Sequence, residues 1–174
     1  MSAVELLPPS GLIEVGVDLR DGLFAIVDAA DEAIVAGYLW TPIRMNGSVY
    51  ARALAGRDRM LMHKLITGWP GCDHINGDGL DNRRTNLREA TRSQNMANRR
   101  KSVPGSASRF KGVSLHADRR QWRAQIGIRG KRVYLGLFPS EEGAARAYDE
   151  QARVAFGEFA ALNFPRPGEA SCLR

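Results

Sequence analysis

Cysteine is scarce in this sequence, and long apolar runs are missing altogether. Cys72 and Cys172 are the two cysteines, and they form no C-x-x-C pair. That excludes a structural zinc site of the paired-cysteine kind. Their wide separation and an intracellular setting argue against a disulfide, so Cys72 reads as a small buried strand residue. No stretch approaches the roughly 20 apolar residues that a membrane span requires. The opening MSAVELLPPSG has no basic segment and no extended apolar core, so no secretion signal is expected and the chain is read as cytoplasmic. Acids are locally scarce as well. From Arg83 to Arg132 there are fifteen Lys or Arg against two acids, Glu89 and Asp118, although the whole chain carries only +6. The remainder is therefore net acidic. Charge concentrated in this way is the footprint of a polyanion, and nucleic acid fits it better than an anionic membrane.

The elements present are short. Val15, Val17 and the run Leu23 to Val27 suggest strands with a turn at Asp21-Gly22, followed by a short helix over 28–36. Asn46-Gly47 lies between strand-like runs and signals a hairpin, because a type I′ turn needs positive φ at both positions. Met60 to Thr67 has helical spacing and ends at Gly68. The next stretch, GCDHINGDGLDNRRTNLREATRSQNMANRR over 71–100, reads as strand, loop, strand and helix, with Ser93 as the expected cap of that helix. KSVPGSAS over 101–108 has the composition of a linker. Three strands follow, Phe110 to Leu115, Gln121 to Ile128 and Lys131 to Phe138. A helix capped by Ser140 comes next, with an apolar stripe of Ala144, Tyr148, Ala152 and Ala155. Residues 166–174 read as a frayed tail.

Within 71–100, a carboxylate (Asp73) adjoins an imidazole (His74), and the amides of Asn86 and Asn95 follow at spacings of twelve and nine. Phosphodiester hydrolysis needs a deprotonated water, neutralised phosphoryl oxygens and a stabilised leaving oxygen. A neutral histidine suits the first need. A hard cation on oxygen ligands such as Asp73 and Asn95 suits the other two, and Mg²⁺ or Mn²⁺ is expected, one ion per site. Adjacent strand residues point to opposite faces. Asp73 and His74 would then approach a scissile phosphate from different sides, with Asn86 fixing the loop and the imidazole.

The DH at 73–74, the loop DGLDNRRTNL and SQNMANR on the helix resemble the HNH (ββα-metal) homing endonucleases of phages and mobile introns. That resemblance implies Asp73 and Asn95 as metal ligands, His74 as general base and Asn86 as the residue holding His74. The third signature position is Asn95 rather than His, as in a subgroup of the family, which favours Mg²⁺. Met62-His63-Lys64-Leu65 looks like the family's upstream helix, making His63 a further candidate, and Asn82 in the loop is another. The arginines Arg83, Arg84, Arg92, Arg99 and Arg100 flank these positions and are expected on the phosphate backbone.

FKGVS at 110–114, WRAQI at 122–126, RVYLGLF at 132–138 and AARAYDEQA at 144–152 resemble the plant APETALA/ethylene-response-factor DNA-binding domain, which also occurs fused to phage HNH nucleases. Alternation places Trp122, Ala124 and Ile126 on one face and Arg123 and Gln125 on the other. In the third strand Val133, Leu135 and Leu137 oppose Arg132 and Tyr134. The resemblance maps DNA contacts onto Lys111, Ser114, Arg123, Gln125, Arg132 and Tyr134, while Trp122 reads as core.

The expectation is an α+β chain: an HNH nuclease domain over 1–100 preceded by β-hairpins, a linker over 101–108, an APETALA-like three-stranded antiparallel sheet packed on one helix over 109–165, and a tail over 166–174. The expected function is site-specific, metal-dependent nicking of double-stranded DNA, homing-type and phage-encoded, acting in a bacterial host. The protein would be a monomer or homodimer without an obligatory protein partner. A DNA-binding regulator with an inactive HNH scaffold is the alternative. If about six to eight phosphates are neutralised, the log–log slope of binding against salt is expected to be roughly −5 to −7. A fluorescence-anisotropy titration across salt concentrations measures it, and a slope near zero would refute the basic-patch reading.

Overall fold

The computed structural model describes residues 14–19, 22–45, 47–55, 58–101, 107–116, 118, 120–173. The mixture of short strands and few helices is α+β. The chain divides into two compact units, 1–90 and 91–174. The division between them falls after Ala90, ahead of the helix that carries Asn95. Residues 102–106 of the expected linker, together with Leu12-Ile13, Asp21 and Asn46, lie outside the described residues.

In the first unit, β1 (Glu14–Asp18) pairs antiparallel with β2 (Phe24–Asp28). A 3-10 turn over Ala29–Asp31 leads into α1 (Glu32–Val35). β3 (Trp40–Met45), β4 (Ser48–Ala55) and β5 (Asp58–Leu61) form an antiparallel meander. Met45 pairs with Ser48, and Gly47 has φ 87°. The helical spacing over 60–67 hid β5. The helix α2 spans Met62–Thr67 and stops at left-handed Gly68. One sheet face packs inward through Trp40, Ala51 and Ala53 onto Val27, Val35, Met62 and Ile66.

β6 (Cys72–His74) pairs with β7 (Leu87–Glu89). Asn86 is not the first strand residue but the last of a 3-10 turn, Arg84–Asn86. The intervening loop is ordered by its own side chains. Asn76 Oδ1 accepts from the Asp78 N–H at 2.8 Å, and Asp78 Oδ1 accepts from the Leu80 N–H at 3.0 Å. These are the local turn bonds to which Asn and Asp are suited. The loop then docks on β2. The Ile26 N–H donates to Leu80 O at 2.8 Å, and the Asn82 N–H donates to Ile26 O at 2.7 Å. Gly79 sits so close to β4 that a Cβ would lie 2.4 Å from Val49 O, which only glycine avoids.

The second unit opens with α3 (Arg92–Asn98). Its cap is Thr91 rather than Ser93: the Thr91 hydroxyl accepts from the Gln94 N–H, and the Gln94 side chain accepts from the Thr91 N–H. This Thr-x-x-Gln capping box satisfies two end donors, leaving Ser93 inside the first turn. β8 (Val113–His116), β9 (Gln121–Ile128) and β10 (Lys131–Phe138) form an antiparallel sheet in the order β10-β9-β8. It packs on α4 (Glu141–Phe156), capped by Ser140. Ala124 and Ile126 face Ala144, Ala145, Tyr148 and Ala152 in the core, with Trp122 packed against it.

Strict alternation fails in β10. A register shift between Tyr134 and Gly136, with Gly136 at φ 132°, inserts one extra residue. Such a bulge reverses the alternation beyond it. Leu137 consequently pairs with Arg123 on the outer side, and Phe138 pairs with Trp122 and packs inward. The tail is not frayed. β11 (Ala161–Leu162) pairs in parallel with β12 (Ala170–Ser171), and Cys172 is buried. Asp149 on α4, itself buried, accepts from the Asn163 N–H at 2.9 Å, Asn163 Nδ2 at 3.0 Å and the Phe164 N–H at 2.7 Å.

Asp149→Ala strands those three donors. It is expected to cost about 3 kcal/mol or more, read as a lower urea midpoint for the second unit. Arg166→Ala, which removes an exposed ion pair to Glu150, should move that midpoint by a small fraction of that amount.

Candidate active site and nucleic-acid interface

β6 sets Asp73 and His74 on consecutive positions, and both are buried. Across the hairpin Asp73 is opposite Arg88. Arg88 grips one carboxylate oxygen twice, with Nε and Nη2 at 3.0 and 2.8 Å from Asp73 Oδ2. His74 lies in a cluster of rings. Its centroid is 4.9 Å from that of His63, with the planes at 89°, and Tyr50 stands edgewise to both at 5.8 and 5.7 Å. His74 Nε2 faces Asn82 Oδ1 at 3.4 Å. Burial lowers the His74 pKa below its ordinary value, against the opposing pull of Asn82 and nearby acids. His63, on α2, is lowered to about 3, first by burial and then by His74 and Lys64. Both imidazoles are therefore neutral at physiological pH. His63 Nδ1 has no hydrogen-bond partner among the described residues.

Asn86 is buried and spans the loop. Its Oδ1 accepts from the Asn76 N–H at 3.0 Å, and its Nδ2 donates to Asp81 O at 2.7 Å. The imidazole's amide neighbour is thus Asn82, while Asn86 fixes the loop that carries Asn82. Asn95 stands on α3, in the second unit. Asp73 carries a hard carboxylate oxygen and Asn95 an amide oxygen, donors of the kind that Mg²⁺ takes. No group of three or more His, Cys, Asp or Glu suited to a metal occurs among the described residues.

The expected DNA-binding residues separate into two groups. Arg83 binds Asp81 through Nε and Nη2, both at 2.7 Å, and also pairs with Glu14. Arg84 binds buried Asp31 at 2.8 and 2.7 Å, donates to Ile66 O, and offers its N–H to Asp28. The Lys111 ammonium is largely buried and donates to Ala97 O and Arg99 O, with burial lowering its pKa to about 8. Those three cations are engaged by groups of the protein itself, Lys111 in the interior and Arg83 and Arg84 at its surface. Arg92 and Arg100 are exposed, and Arg99 is half-buried. Ser114, Arg123, Gln125, Arg132 and Tyr134 share the outer sheet face, by the pairings Ser114 with Arg123, Gln125 with Tyr134 and Gly127 with Arg132. Arg123 Nε donates to Ser114 Oγ at 3.2 Å, and Tyr134 is 61% exposed, available to a groove.

Sequence reasoning missed Tyr50 and Arg88. Arg88 could have been found from the hairpin, since strands flanking a loop anchored at both ends bring 73 opposite 88. Tyr50 has no local signal: it arrives from another sheet.

A family model described as HNH endonuclease matches residues 65–97. An HNH endonuclease of Acanthamoeba polyphaga mimivirus is 37% identical over 147 residues, covering 82% of this chain and 75% of its own. The chain belongs to the HNH endonuclease family. Its C-terminal region is similar to plant proteins. An AP2/ERF and B3 domain-containing protein of Oryza sativa subsp. japonica is 54% identical over 59 residues, 34% of this chain and 16% of that protein. An AP2-like ethylene-responsive transcription factor of Arabidopsis thaliana is 37% identical over 84 residues, 40% of this chain and 28% of that protein. The chain thus spans less than a third of the length of these plant relatives. No solved structure matches.

Because both imidazoles bind fewer protons folded than unfolded, stability is expected to fall as pH drops below 6.5, by up to ~1.4 kcal/mol per pH unit per histidine. His63→Phe keeps a ring in the cluster and should remove about half of that slope. Thermal melts between pH 7.5 and 5 check this, and an unchanged slope would mean that His63 binds protons alike in the folded and unfolded states.

Proposed function

We propose that this protein is a divalent-metal-dependent endonuclease that nicks double-stranded DNA near a sequence read by the outer face of its C-terminal sheet. The observation that carries the reading is the buried, neutral His74 beside Asp73 at the centre of the stretch that matches the HNH family. An imidazole held neutral can accept the proton of an attacking water. Asn82 at Nε2 and the packed rings of His63 and Tyr50 restrict how it turns. Water then attacks phosphorus and the bond to the 3′-oxygen breaks, leaving a 3′-hydroxyl and a 5′-phosphate. Asp73 and Asn95 would hold Mg²⁺, which supplies charge neutralisation at the phosphoryl and leaving oxygens when bound. Arg88 already neutralises Asp73, so cation binding at Asp73 competes with that ion pair.

The outer face of the sheet supports the addressing role. Arg123, Gln125 and Arg132 offer the donors and acceptors that read base edges in a major groove. A homing-type role and a phage or viral source are consistent with the mimivirus relative. One active site cuts one strand, so a monomer nicks and linear product requires paired sites. The Arg88 ion pair favours a second reading, a DNA-binding regulator whose HNH scaffold is silent.

Supercoiled plasmid incubated with protein in Mg²⁺ is expected to become nicked circle. EDTA should stop the reaction, and His74→Ala should slow it by at least about a hundredfold. DNA shifted on a gel but left intact, on plasmids and on DNA carrying the native target alike, would establish the regulator reading instead.

A further inference from the structure

We propose that Lys111 is a positioning residue for the nuclease: it anchors the helix that carries Asn95, and thereby ties the metal ligand to the fold of the DNA reader. The proposal rests on the reading of Asn95 as a ligand given above. The helix α3 has seven residues, too few to be stable by itself in water. Its C-terminal cap, Arg99, is extended at φ −61° and ψ 135°, so no left-handed residue closes the helix and its last carbonyls need partners. Lys111 supplies one: its ammonium donates to Ala97 O and, at 2.8 Å, to Arg99 O. A buried cation at this end also opposes the negative end of the helix dipole.

The other end of Lys111 is fixed just as firmly. Its N–H donates to Asn163 Oδ1 at 2.7 Å, and its carbonyl accepts from Asn163 Nδ2 at 3.1 Å. Asn163 is in turn bound by Asp149 of α4 and approached by Cys172 Sγ at 3.2 Å. A continuous line of hydrogen bonds runs from α4, through Asn163 and Lys111, to the end of α3. The resemblance to the plant domain put Lys111 on DNA. The geometry gives it a different task, since an ammonium committed to two carbonyls has little left for a phosphate.

The test uses the full chain with Lys111→Met, which keeps the apolar stem and removes the charge. Amide exchange of fragments covering 92–99 should accelerate about tenfold or more, the scale of losing a charged hydrogen bond. Fragments covering 141–156 should keep wild-type protection. The Mg²⁺ concentration for half-maximal nicking should rise about fivefold or more, with saturating Mg²⁺ restoring most of the rate. Plasmid shifted on a gel in EDTA should be unaffected. Wild-type exchange over 92–99 would overturn the proposal. So would equal loss of protection over 92–99 and 141–156, which would make Lys111 a general fold residue. Loss of the gel shift would return it to the DNA backbone. Asn95→Ala, measured in parallel, separates the two readings: if its Mg²⁺ requirement equals that of the wild type, the ligand assignment fails whatever the exchange over 92–99 shows.

Discussion

The docking of one loop on one strand organises the first unit. Between β6 and β7 the chain would be a polar, glycine-containing excursion with many backbone groups to satisfy. Instead, Leu80 O and the Asn82 N–H pair with Ile26 of β2, so one parallel bridge ties the loop to the N-terminal hairpin. Asn86 closes the loop from within, bridging Asn76 and Asp81. Once Asn82 is fixed, its amide oxygen has a defined position against His74 Nε2. The orientation of the imidazole thus depends on residues some fifty positions upstream, and the N-terminal hairpin acts as a buttress for the loop that carries Asn82.

That dependence alters the meaning of the charge. Fifteen basic residues between 83 and 132 look like a single basic surface in the sequence. Folding divides them. Arg83 and Arg84 turn toward Glu14, Asp81 and Asp31, where they lock the loop to acids contributed by the net-acidic part of the chain. Arg88 neutralises the buried carboxylate of Asp73, and Lys111 serves the end of α3. The arginines of the outer sheet face remain for a partner. Asp31, Asp73 and Asp81 are buried, and a buried carboxylate left without its cation is costly, so Arg83, Arg84 and Arg88 are structural commitments rather than spare charge.

Much of this was legible in advance where the signal is local. Asn-Gly announced the β3–β4 turn because few residues tolerate positive φ. The alternation of Trp122, Ala124 and Ile126 gave the buried face of β9, since strand side chains alternate strictly while the ladder is regular. Legibility ended where the ladder is irregular. The bulge at Gly136 exchanged Leu137 for Phe138 in the core, and its one local signal is the glycine itself, which Gly127 in the regular part of β9 shares. The cap of α3 was misplaced by two residues because Ser93 and Thr91 are both good caps, and only the reciprocal bond to Gln94 chooses between them.

The sequence by itself determined the α+β class, the HNH signature positions and the sheet-plus-helix form of the C-terminal unit, because period, turn chemistry and motif spacing are written in neighbouring residues. Tertiary structure alone decided which cations are spent inside, that Asn82 rather than Asn86 faces the imidazole, and that Tyr50 and His63 pack against it. It also decided that α3 falls in the same compact unit as the three-stranded sheet. Those outcomes depend on contacts between residues far apart in the chain, where burial, not spacing, selects which partner each polar group finds.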